Sequence, residues 1–542
     1  MTTIKINNIE YDIDKLSDEA KSQLVSLQFC DQELQRLQAQ SAAIQTARMA
    51  YASNPTQNEL NTLLEHYQKG RYDIAQNLAT TLTQQYPNHP FGWKVMGTLF
   101  KKSGKLQDSV TANQKELEIS PNDAEAHYNL GNTLKELGRQ EDAETSYKKA
   151  IAIKPDYAEA HYNLGVTLQE LGRLEDAETS YNKAIAKKSD YAEAHSNLGV
   201  TLQELGRLEE AEANYSKAIA IKPDYAEAHS NLGNTLKELG RLEDAEASYR
   251  KAISLKPDNE SAEFNLGIWY CEQGKYQQAA ELFLKSKNFK NSQSYLLKCW
   301  YFLNEQSLFY EQLESLTGQG ITDAIIGSFG CRAEIKFGIK KANPFCSSPL
   351  NYVFKTDLSK KYDFEGKFVK PTLSFLNDKK AQNRSQNLLT NGLQTSGNLF
   401  ALENILIEDV KKIIELEIEN FRLHFKDSKE GLIKNWPDAY SLHGWIIRMK
   451  SGGALRPHMH EKGWISGSIY INVPPKLKAN DGNLVVCIED DALLSQPQHN
   501  KKNIIDVTTG SLCLFPASLL HYTIPFESDE ERIVLAFDVV PK

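Results

Sequence analysis

A 34-residue internal repeat fills the middle of this chain of 542 residues and limits its possible folds more than any other feature. Two series of glycines mark the repeat units. The first series comprises Gly97, Gly131, Gly165, Gly199, Gly233 and Gly267. The second comprises Gly70, Gly104, Gly138, Gly172, Gly206, Gly240 and Gly274. A repeat of this length is typical of a solenoid, in which each unit buries its apolar face against its neighbours.

Each repeat is predicted to consist of two helices joined by a tight turn. Gly138 occupies one such turn, because glycine readily adopts the left-handed conformation that ends a helix. Pro155 ends the second helix of the same unit, since proline cannot continue a helix. Gly131 and Ala143 are small, which predicts that two helix backbones approach closely there. Seven units are predicted within residues 54–293, followed by capping helices and a linker over residues 294–343.

The unit AEAHYNLGNTLKELGRQEDAETSYKKAIAIKPDY resembles the tetratricopeptide repeat (TPR) family. The resemblance implies an all-α superhelical solenoid whose concave groove binds a peptide or a protein surface. An asparagine precedes the Leu-Gly pair of several units, and stacking would align these asparagines in one row. They are Asn129, Asn163, Asn197, Asn231 and Asn265. Their amides are suited to binding the backbone of an extended peptide. The alternative is that they only bridge neighbouring repeats.

Residues 1–53 are predicted to form a separate small unit. The alternating pattern of TIKINNIEYDI, with Asn7-Asn8 as the turn, predicts a β-hairpin. Ser17 is expected to cap a helix that runs to about Tyr51. Along this helix, residues with coiled-coil spacing form a short seam: Leu27, Cys30, Leu34, Leu37, Ser41 and Ile44. Two uses of this seam are open, self-association and packing onto the first TPR helices.

The composition excludes several classes of function. A net charge of −9 and a pI near 5.8 disfavour general binding to nucleic acid or to anionic membranes. No apolar run approaches the roughly 18 residues that a transmembrane helix needs. The first residues lack the layout of a secretory signal, and the 7 cysteines are scattered singly. The expected protein is therefore cytoplasmic, with reduced thiols.

Residues 344–542 lack the 34-residue period and show the pattern of an all-β barrel or jelly roll. A helix is predicted over about 408–424. Short apolar runs predict strands at His443–Met449, Trp464–Val473, Gly482–Ile488, Ser511–Phe515, Leu519–Thr523 and Arg532–Val539. The sequence therefore predicts a multidomain protein in which an all-α solenoid precedes an all-β domain with flanking helices.

Histidine is rare, with 12 residues in the chain, yet His458 and His460 lie two positions apart in the β-rich region. Residues i and i+2 of a strand face the same side of the sheet. Together with His521 from a later strand, they would form a facial set of three ligands that leaves coordination positions open. Such a site suits a redox metal that also binds substrates.

The motifs around these histidines resemble the iron(II)/2-oxoglutarate-dependent oxygenases of the prolyl-4-hydroxylase-like group. They are RMKSGGALRPHMHEKGWISGSIYINVP, DGNLVV and GSLCLFPASLLHYTIPFESDEERIVLAFDVVP. The resemblance implies a double-stranded β-helix with Fe(II), 2-oxoglutarate as cosubstrate and O2. It assigns the metal to His458, His460 and His521. The family usually has an acidic residue where this chain has His460, so Glu461 or a site with only two protein ligands are the alternatives.

The same resemblance assigns further residues. Arg532 matches the arginine that binds the far carboxylate of 2-oxoglutarate, a role that suits a guanidinium group. Tyr470 and Ser466 are candidates for additional cosubstrate contacts, with packing inside the barrel as the alternative. Trp445 and Arg448 lie on the strand before the histidines and are candidates for facing the substrate.

The function predicted from the sequence is a dioxygenase that hydroxylates a protein or peptide recruited by the TPR groove. One alternative is a barrel that acts on a small molecule while the repeats assemble a complex. Another is a TPR interaction scaffold whose barrel is not catalytic. Self-association through the N-terminal helix is compatible with each of them.

Overall fold

A computed structural model describes residues 3–6, 9–52, 54–289, 291–377, 383–384, 388–401, 405–489 and 501–542. The chain divides into two compact units, residues 1–155 and residues 156–542. The boundaries predicted from the sequence (1–53, 54–293, 294–343 and 344–542) remain a prediction. No helix among the described residues is both long and apolar enough to cross a membrane.

The first unit begins with an antiparallel hairpin of β1 (Thr3–Ile6) and β2 (Ile9–Asp12). The predicted Asn7-Asn8 turn lies outside the described residues. The long helix α1 (Asp18–Ala52) follows, and the Ser17 hydroxyl accepts a hydrogen bond from the Ala20 amide, as expected of a capping serine.

The predicted seam of α1 lies at the surface. Its large apolar side chains, Leu27, Leu34, Leu37 and Ile44, are 51% to 65% exposed. They therefore do not pack onto the first TPR helices, which was one of the two uses left open by the sequence. Self-association through this helix stays a prediction.

Paired antiparallel helices form the solenoid. The first unit contains α2 (Gln57–Gln68), α3 (Tyr72–Gln85), α4 (Pro90–Lys102), α5 (Leu106–Ile119), α6 (Ala124–Glu136) and α7 (Gln140–Ile153). The second contains α8 (Ala158–Glu170), α9 (Leu174–Lys187), α10 (Ala192–Glu204), α11 (Leu208–Ile221), α12 (Ala226–Glu238), α13 (Leu242–Leu255), α14 (Glu260–Glu272) and α15 (Tyr276–Lys285). Three more helices follow the repeats: α16 (Ser292–Phe302), α17 (Gln306–Gly318) and α18 (Ala324–Phe337).

The recurrent glycines act in two different ways. Gly138 has a φ of 74°, so it provides the left-handed turn that the sequence predicts. Gly131 makes room for an aromatic ring, because a Cβ atom there would lie 2.7 Å from Cε1 of Tyr147. The close approach predicted at Gly131 is thus between a helix backbone and a tyrosine side chain, and not between two backbones.

The C-terminal domain is a curled antiparallel sheet flanked by α19 (Lys370–Leu376), α20 (Ile405–His424) and α21 (Gly431–Lys434). Its strands are β3 (Phe354–Asp357), β4 (Asn383–Arg384), β5 (Leu389–Thr395), β6 (Tyr440–His458), β7 (Ile465–Asn472), β8 (Leu484–Cys487), β9 (Lys502–Ile505), β10 (Ser511–Pro516), β11 (Leu520–Thr523) and β12 (Arg532–Pro541). The main path orders them β3-β10-β7-β12-β6-β11-β8-β9, with β5 also pairing with β6. The predicted fold class, a TPR solenoid followed by a double-stranded β-helix, is confirmed.

The central strand β7 separates the core from a cavity inside the curled sheet. Ile465, Ile469 and Ile471 join the large apolar core, which also contains side chains of α20. Ser466 and Tyr470 alternate with these isoleucines and line the cavity instead. The period of two along the strand therefore places polar groups where a ligand has access to them.

Within the second unit, the helices after the repeats hold the β-domain through buried charges. Arg332 of α18 donates to the carboxylate of Glu489 through two nitrogens, at 2.6 and 2.9 Å. Lys298 of α16 pairs with Glu461 at 2.5 Å, and Glu461 directly follows His460. The solenoid end thus fixes the segment from which one candidate metal ligand projects.

Candidate metal centre

The structure brings His458, His460 and His521 together at one end of the cavity. One ring nitrogen from each lies within 4.8 Å of the others. His458 ends β6 and pairs with His521 of β11 across the ladder. His460 lies beyond the end of β6, so the two neighbouring histidines do not share a regular strand as the sequence predicts. Their Nε2 atoms are nevertheless 3.2 Å apart.

Burial keeps His458 and His521 uncharged at neutral pH. It lowers the pKa of His458 to about 4 and the pKa of His521 well below its usual value. Nδ1 of His521 is buried and has no hydrogen-bond partner among the described residues. Neutral imidazoles with available lone pairs fit a transition metal such as Fe(II).

Hydrogen bonds orient the rings of both neighbouring histidines. Nδ1 of His458 donates to the carbonyl oxygen of Arg456 at 2.9 Å. Nδ1 of His460 donates to Oδ1 of Asp538 at 2.6 Å. Both Nε2 atoms are therefore left for a metal, which is how such outer contacts commonly prepare histidine ligands. The carboxylate of Glu461, the alternative ligand, binds Lys298 instead.

Arg532 lines the same cavity. Its side chain is 2% exposed, and its guanidinium carbon lies 5.0 Å from the ring centre of Tyr470. Burial lowers the pKa of Arg532, and its Nε is buried without a hydrogen-bond partner in the described part of the chain. A buried guanidinium without an acidic partner in the described part of the chain fits a carboxylate of a bound ligand, and the far carboxylate of 2-oxoglutarate is a group of this kind.

The remaining candidates divide between the cavity and its surroundings. Trp445 lines the cavity, with its ring centre 5.3 Å from that of His460. Arg448 pairs with Glu531 at 2.6 Å and is not brought to this cavity. Ser466 lines the cavity but donates to Asp538 at 2.8 Å, and its hydroxyl lies 3.1 Å from Nδ1 of His460.

The cavity has a volume of about 290 Å³ and is lined largely by apolar side chains. A second cavity of about 660 Å³ shares Trp445 with it. Val200, Glu204 and Asn231 of the repeats line the second cavity. The inner helices of the repeats α10 and α12 thus form one wall of a space that adjoins the histidine cluster.

The row of asparagines is used in more than one way. Asn197 donates to the hydroxyl of Tyr162 at 3.0 Å, and Asn265 donates to Ser230 at 3.4 Å. These two bridge neighbouring repeats, as one reading of the sequence allows. Asn231 lines the second cavity, whereas Asn129 and Asn163 are half-buried on α6 and α8.

Sequence reasoning missed two residues next to the cluster, Asp538 and Lys298. Asp538 leaves a signal, because it is an acidic residue inside the apolar run RIVLAFDVVP, where burial requires a partner. Lys298 leaves no such signal in the sequence, because its partner Glu461 lies 163 positions away.

Comparison with known proteins agrees with both halves of the chain. The family model described as "Putative 2OG-Fe(II) oxygenase" matches residues 443–538. Tetratricopeptide repeat models match residues 112–145, 131–172, 168–206, 190–258 and 224–292. None of the curated proteins matches the chain.

Several solved structures resemble the repeats. A MamA protein is 28% identical over 30% of this chain and 90% of its own, with a TM-score of 0.29. YrrB, described as a TPR protein with an unusual peptide-binding site, is 23% identical over 34% of this chain and 95% of its own, with a TM-score of 0.31. A TPR protein from Parabacteroides merdae is 19% identical over 44% and 96% of the two chains, with a TM-score of 0.38. The chain therefore joins an array of tetratricopeptide repeats to a C-terminal domain that matches the family model of 2OG-Fe(II) oxygenases.

Proposed function

We propose that this protein is an Fe(II)- and 2-oxoglutarate-dependent hydroxylase whose substrate is a protein or peptide held by its TPR array. The observation that carries the proposal is the pairing of two features in one cavity. Three histidines converge in this cavity, and the buried guanidinium of Arg532, which has no acidic partner among the described residues, lines it as well. A metal and a dicarboxylate satisfy both features together.

In this proposal the side chains bind and orient the reactants. His458, His460 and His521 would hold Fe(II), and Arg532 with Tyr470 would hold the far carboxylate of 2-oxoglutarate. When bound, the metal and cosubstrate supply an O2-derived oxidant, so that C–H becomes C–OH while 2-oxoglutarate becomes succinate and CO2. Trp445 and the apolar lining position the substrate and exclude water from the cavity.

The proposed route of the substrate runs along the repeats. The second cavity, bounded by Val200 and Asn231 on one side and Trp445 on the other, supports this route. A segment of an extended chain bound there would reach the histidine cluster past the indole ring. A cytoplasmic location, which the scattered free cysteines favour, also belongs to the proposal.

Succinate release tests the catalytic part. The full chain is incubated with Fe(II), ascorbate, O2 and 2-oxoglutarate. We expect release by the parent protein and a loss of roughly 100-fold or more in His458→Ala and Arg532→Ala. His424→Ala, which removes an exposed histidine from α20, is the matched control and should retain release. Equal release by all variants, or no metal binding by the parent, contradicts the proposal.

The substrate part is tested by stimulation of succinate release with a peptide library. Val200→Arg places a bulky charge in the second cavity and should abolish the stimulation without reducing basal release. Val166→Arg makes the same change one repeat earlier and is the control. Stimulation that survives Val200→Arg would contradict the route through the second cavity, and the absence of any stimulation by peptides would favour a small-molecule substrate.

A further inference from the structure

Asp538 is a buried carboxylate of β12 that contacts the histidine cluster from outside the ligand set. It is 8% exposed. Its Oδ1 accepts hydrogen bonds from Nδ1 of His460 at 2.6 Å and from the hydroxyl of Ser466 at 2.8 Å. The ladder fixes its place, since Asp538 pairs with Ser466 on β7 and with His443 on β6. The carboxylate is therefore held rigidly behind one ligand.

His460 needs such a support more than its neighbours do. His458 and His521 lie on paired strands, whereas His460 follows the end of β6. The hydrogen bond to Asp538 fixes both the ring and its tautomer, because Nδ1 carries the proton and Nε2 keeps its lone pair. That Nε2 atom faces the Nε2 of His458. Asp538 thereby completes the set of three nitrogens.

The negative charge of Asp538 has a second effect, on the electrostatics of the metal site. The usual ligand set of this family includes a carboxylate, and three neutral imidazoles leave the metal more positive. Arg532 adds a further positive charge to the cavity. A carboxylate that accepts a hydrogen bond from a ligating histidine makes that histidine a stronger donor to the metal.

We propose that Asp538 is a positioning residue that supplies, through His460, the negative charge absent from the ligand set. This inference rests on the proposed function, because it requires that the three histidines bind a metal. It predicts that removing the charge weakens metal binding even where the hydrogen bond is kept. Asp538→Asn makes that change, since the amide oxygen still accepts from Nδ1 of His460.

Metal affinity and coordination are measured on the full chain without turnover. Anaerobic titration with Co(II), followed by its visible absorption, reports affinity and geometry, and Fe(II) affinity follows by competition. We expect Asp538→Asn to bind both metals about 10- to 100-fold more weakly than the parent protein. Asp506→Asn, at an exposed position of the same domain, is the control and should bind as the parent does.

A second background separates this role from a general loss of structure. His460→Asp restores a carboxylate ligand and places it against Asp538, so the two acids repel each other. In that background Asp538→Asn should strengthen metal binding, the opposite of its effect on the parent chain. Circular dichroism of the ligand-free proteins verifies that each variant folds.

The possible failures are distinguishable. If the parent binds metal and Asp538→Asn binds it equally well, the inference is wrong and the proposed function stands. The inference is also wrong if Asp538→Asn weakens binding to the same degree in both backgrounds, because it then acts only through structure. If the parent protein binds no metal, so that its titration is identical to that of His521→Ala, the proposed function and the inference fail together.

Discussion

At the scale of single residues, burial without an acidic partner distinguishes Arg532 from the other arginines of the β-domain. Arg448, on the neighbouring strand, has Glu531 at 2.6 Å, whereas no acidic group among the described residues pairs with Arg532. An unpaired buried charge destabilises a fold. Such a cost is typical of binding sites, where the ligand supplies the missing partner.

Arg532→Met should therefore stabilise the ligand-free protein while removing cosubstrate binding. We expect unfolding of the β-domain to cost about 1–2 kcal/mol more, because a buried charge is replaced by an apolar chain of similar length. Thermal unfolding measures the first effect, and anaerobic calorimetry with 2-oxoglutarate and Mn(II) measures the second. Arg422→Met on the surface of α20 should show neither. A less stable Arg532→Met would indicate that the guanidinium already has favourable partners.

Glu116 of α5 is a second buried charge, located in the first unit. It is 1% exposed, and both carboxylate oxygens have no hydrogen-bond partner among the described residues. Burial raises its pKa to about 7. The folded chain thus binds this proton more tightly than the unfolded chain does, so its contribution to stability falls as the pH rises from about 4.5 to 7.

Glu116→Gln should remove this dependence. Above pH 7 we expect the variant to be about 3 kcal/mol more stable than the parent protein, and below about pH 4.5 the difference should vanish. Urea unfolding at several pH values measures it. Glu118→Gln, an exposed neighbour that pairs with Lys115, should change little. If the free energies of unfolding of the variant and the parent differed by the same amount at every pH, ionisation of Glu116 would not be the cause of the difference.

The sequence predicts single residues well where a spacing or a family motif carries the information. The i, i+2 spacing indicates His458 and His460, the family resemblance indicates Arg532, and the structure brings all three into one cavity. Trp445 and Arg448 are three positions apart, so a regular strand must place them on opposite faces. That period was sufficient to separate the two candidates, although the sequence interpretation grouped them together.

At the scale of elements, the turns between the two helices of a repeat differ in whether they contact the β-domain. The turn glycines Gly206 and Gly240 have nearly the same left-handed φ, 79° and 77°. A Cβ atom at Gly240 would meet no other atom within 4 Å, whereas one at Gly206 would lie 2.6 Å from Ser396 of the β-domain. Beside this turn, the amide of Asn398 donates to the carbonyl of Glu204.

Substitution of these two glycines by alanine separates strain from contact. Gly240→Ala should lower the free energy of unfolding by about 1 kcal/mol, because alanine is strained in the left-handed conformation. Gly206→Ala should cost about 3 kcal/mol, because the added methyl group also displaces the loop at Ser396. Midpoints of urea unfolding compare the two. Equal midpoints would contradict the contact between this turn and the β-domain.

Helices and strands were predictable because their periods are local. The glycine series indicates the helical pairs, and alternation along β7 indicates its two faces. The end of β6 was not predictable, because the turn that carries His460 is stabilised by Asp538, 78 positions away. Local pattern therefore indicated the candidate ligands more reliably than it indicated the backbone that presents them.

At the scale of the second unit, a buried ion pair joins the solenoid end to the β-domain. The side chains of Arg332 and Glu489 are 5% and 2% exposed. The hydroxyl of Tyr301 donates to the same carboxylate at 2.6 Å. Each charge stabilises the other, because either one alone would be buried without a counterion and without hydration by water.

Arg332→Met should destabilise the chain by about 3–5 kcal/mol, because Glu489 stays buried without its counterion. Adding Glu489→Gln should recover most of this loss, since the amide still accepts from Tyr301 and carries no charge. Chemical unfolding of the single and double variants measures the coupling between the two sites. A double variant less stable than Arg332→Met alone would contradict this account.

These long-range pairs were invisible in the sequence. Arg332 and Glu489 lie 157 positions apart, and neither belongs to a periodic pattern. Repeats and motifs identify each domain separately, while contacts between them depend on surfaces that only the folded chain brings together. For this reason the sequence left open whether the repeats and the barrel work on one substrate.

The anchoring of the β-domain at Gly206 and again at Lys298 restricts how this gene can evolve. Near-identical repeats are prone to unequal recombination, which adds or deletes whole copies. A copy gained or lost between Gly206 and Lys298 would change the distance between these two residues, so that one of their contacts with the β-domain would be lost. A copy gained or lost before α10 would leave that separation unchanged. Natural variation in repeat number among relatives should therefore accumulate towards the amino-terminal end of the array.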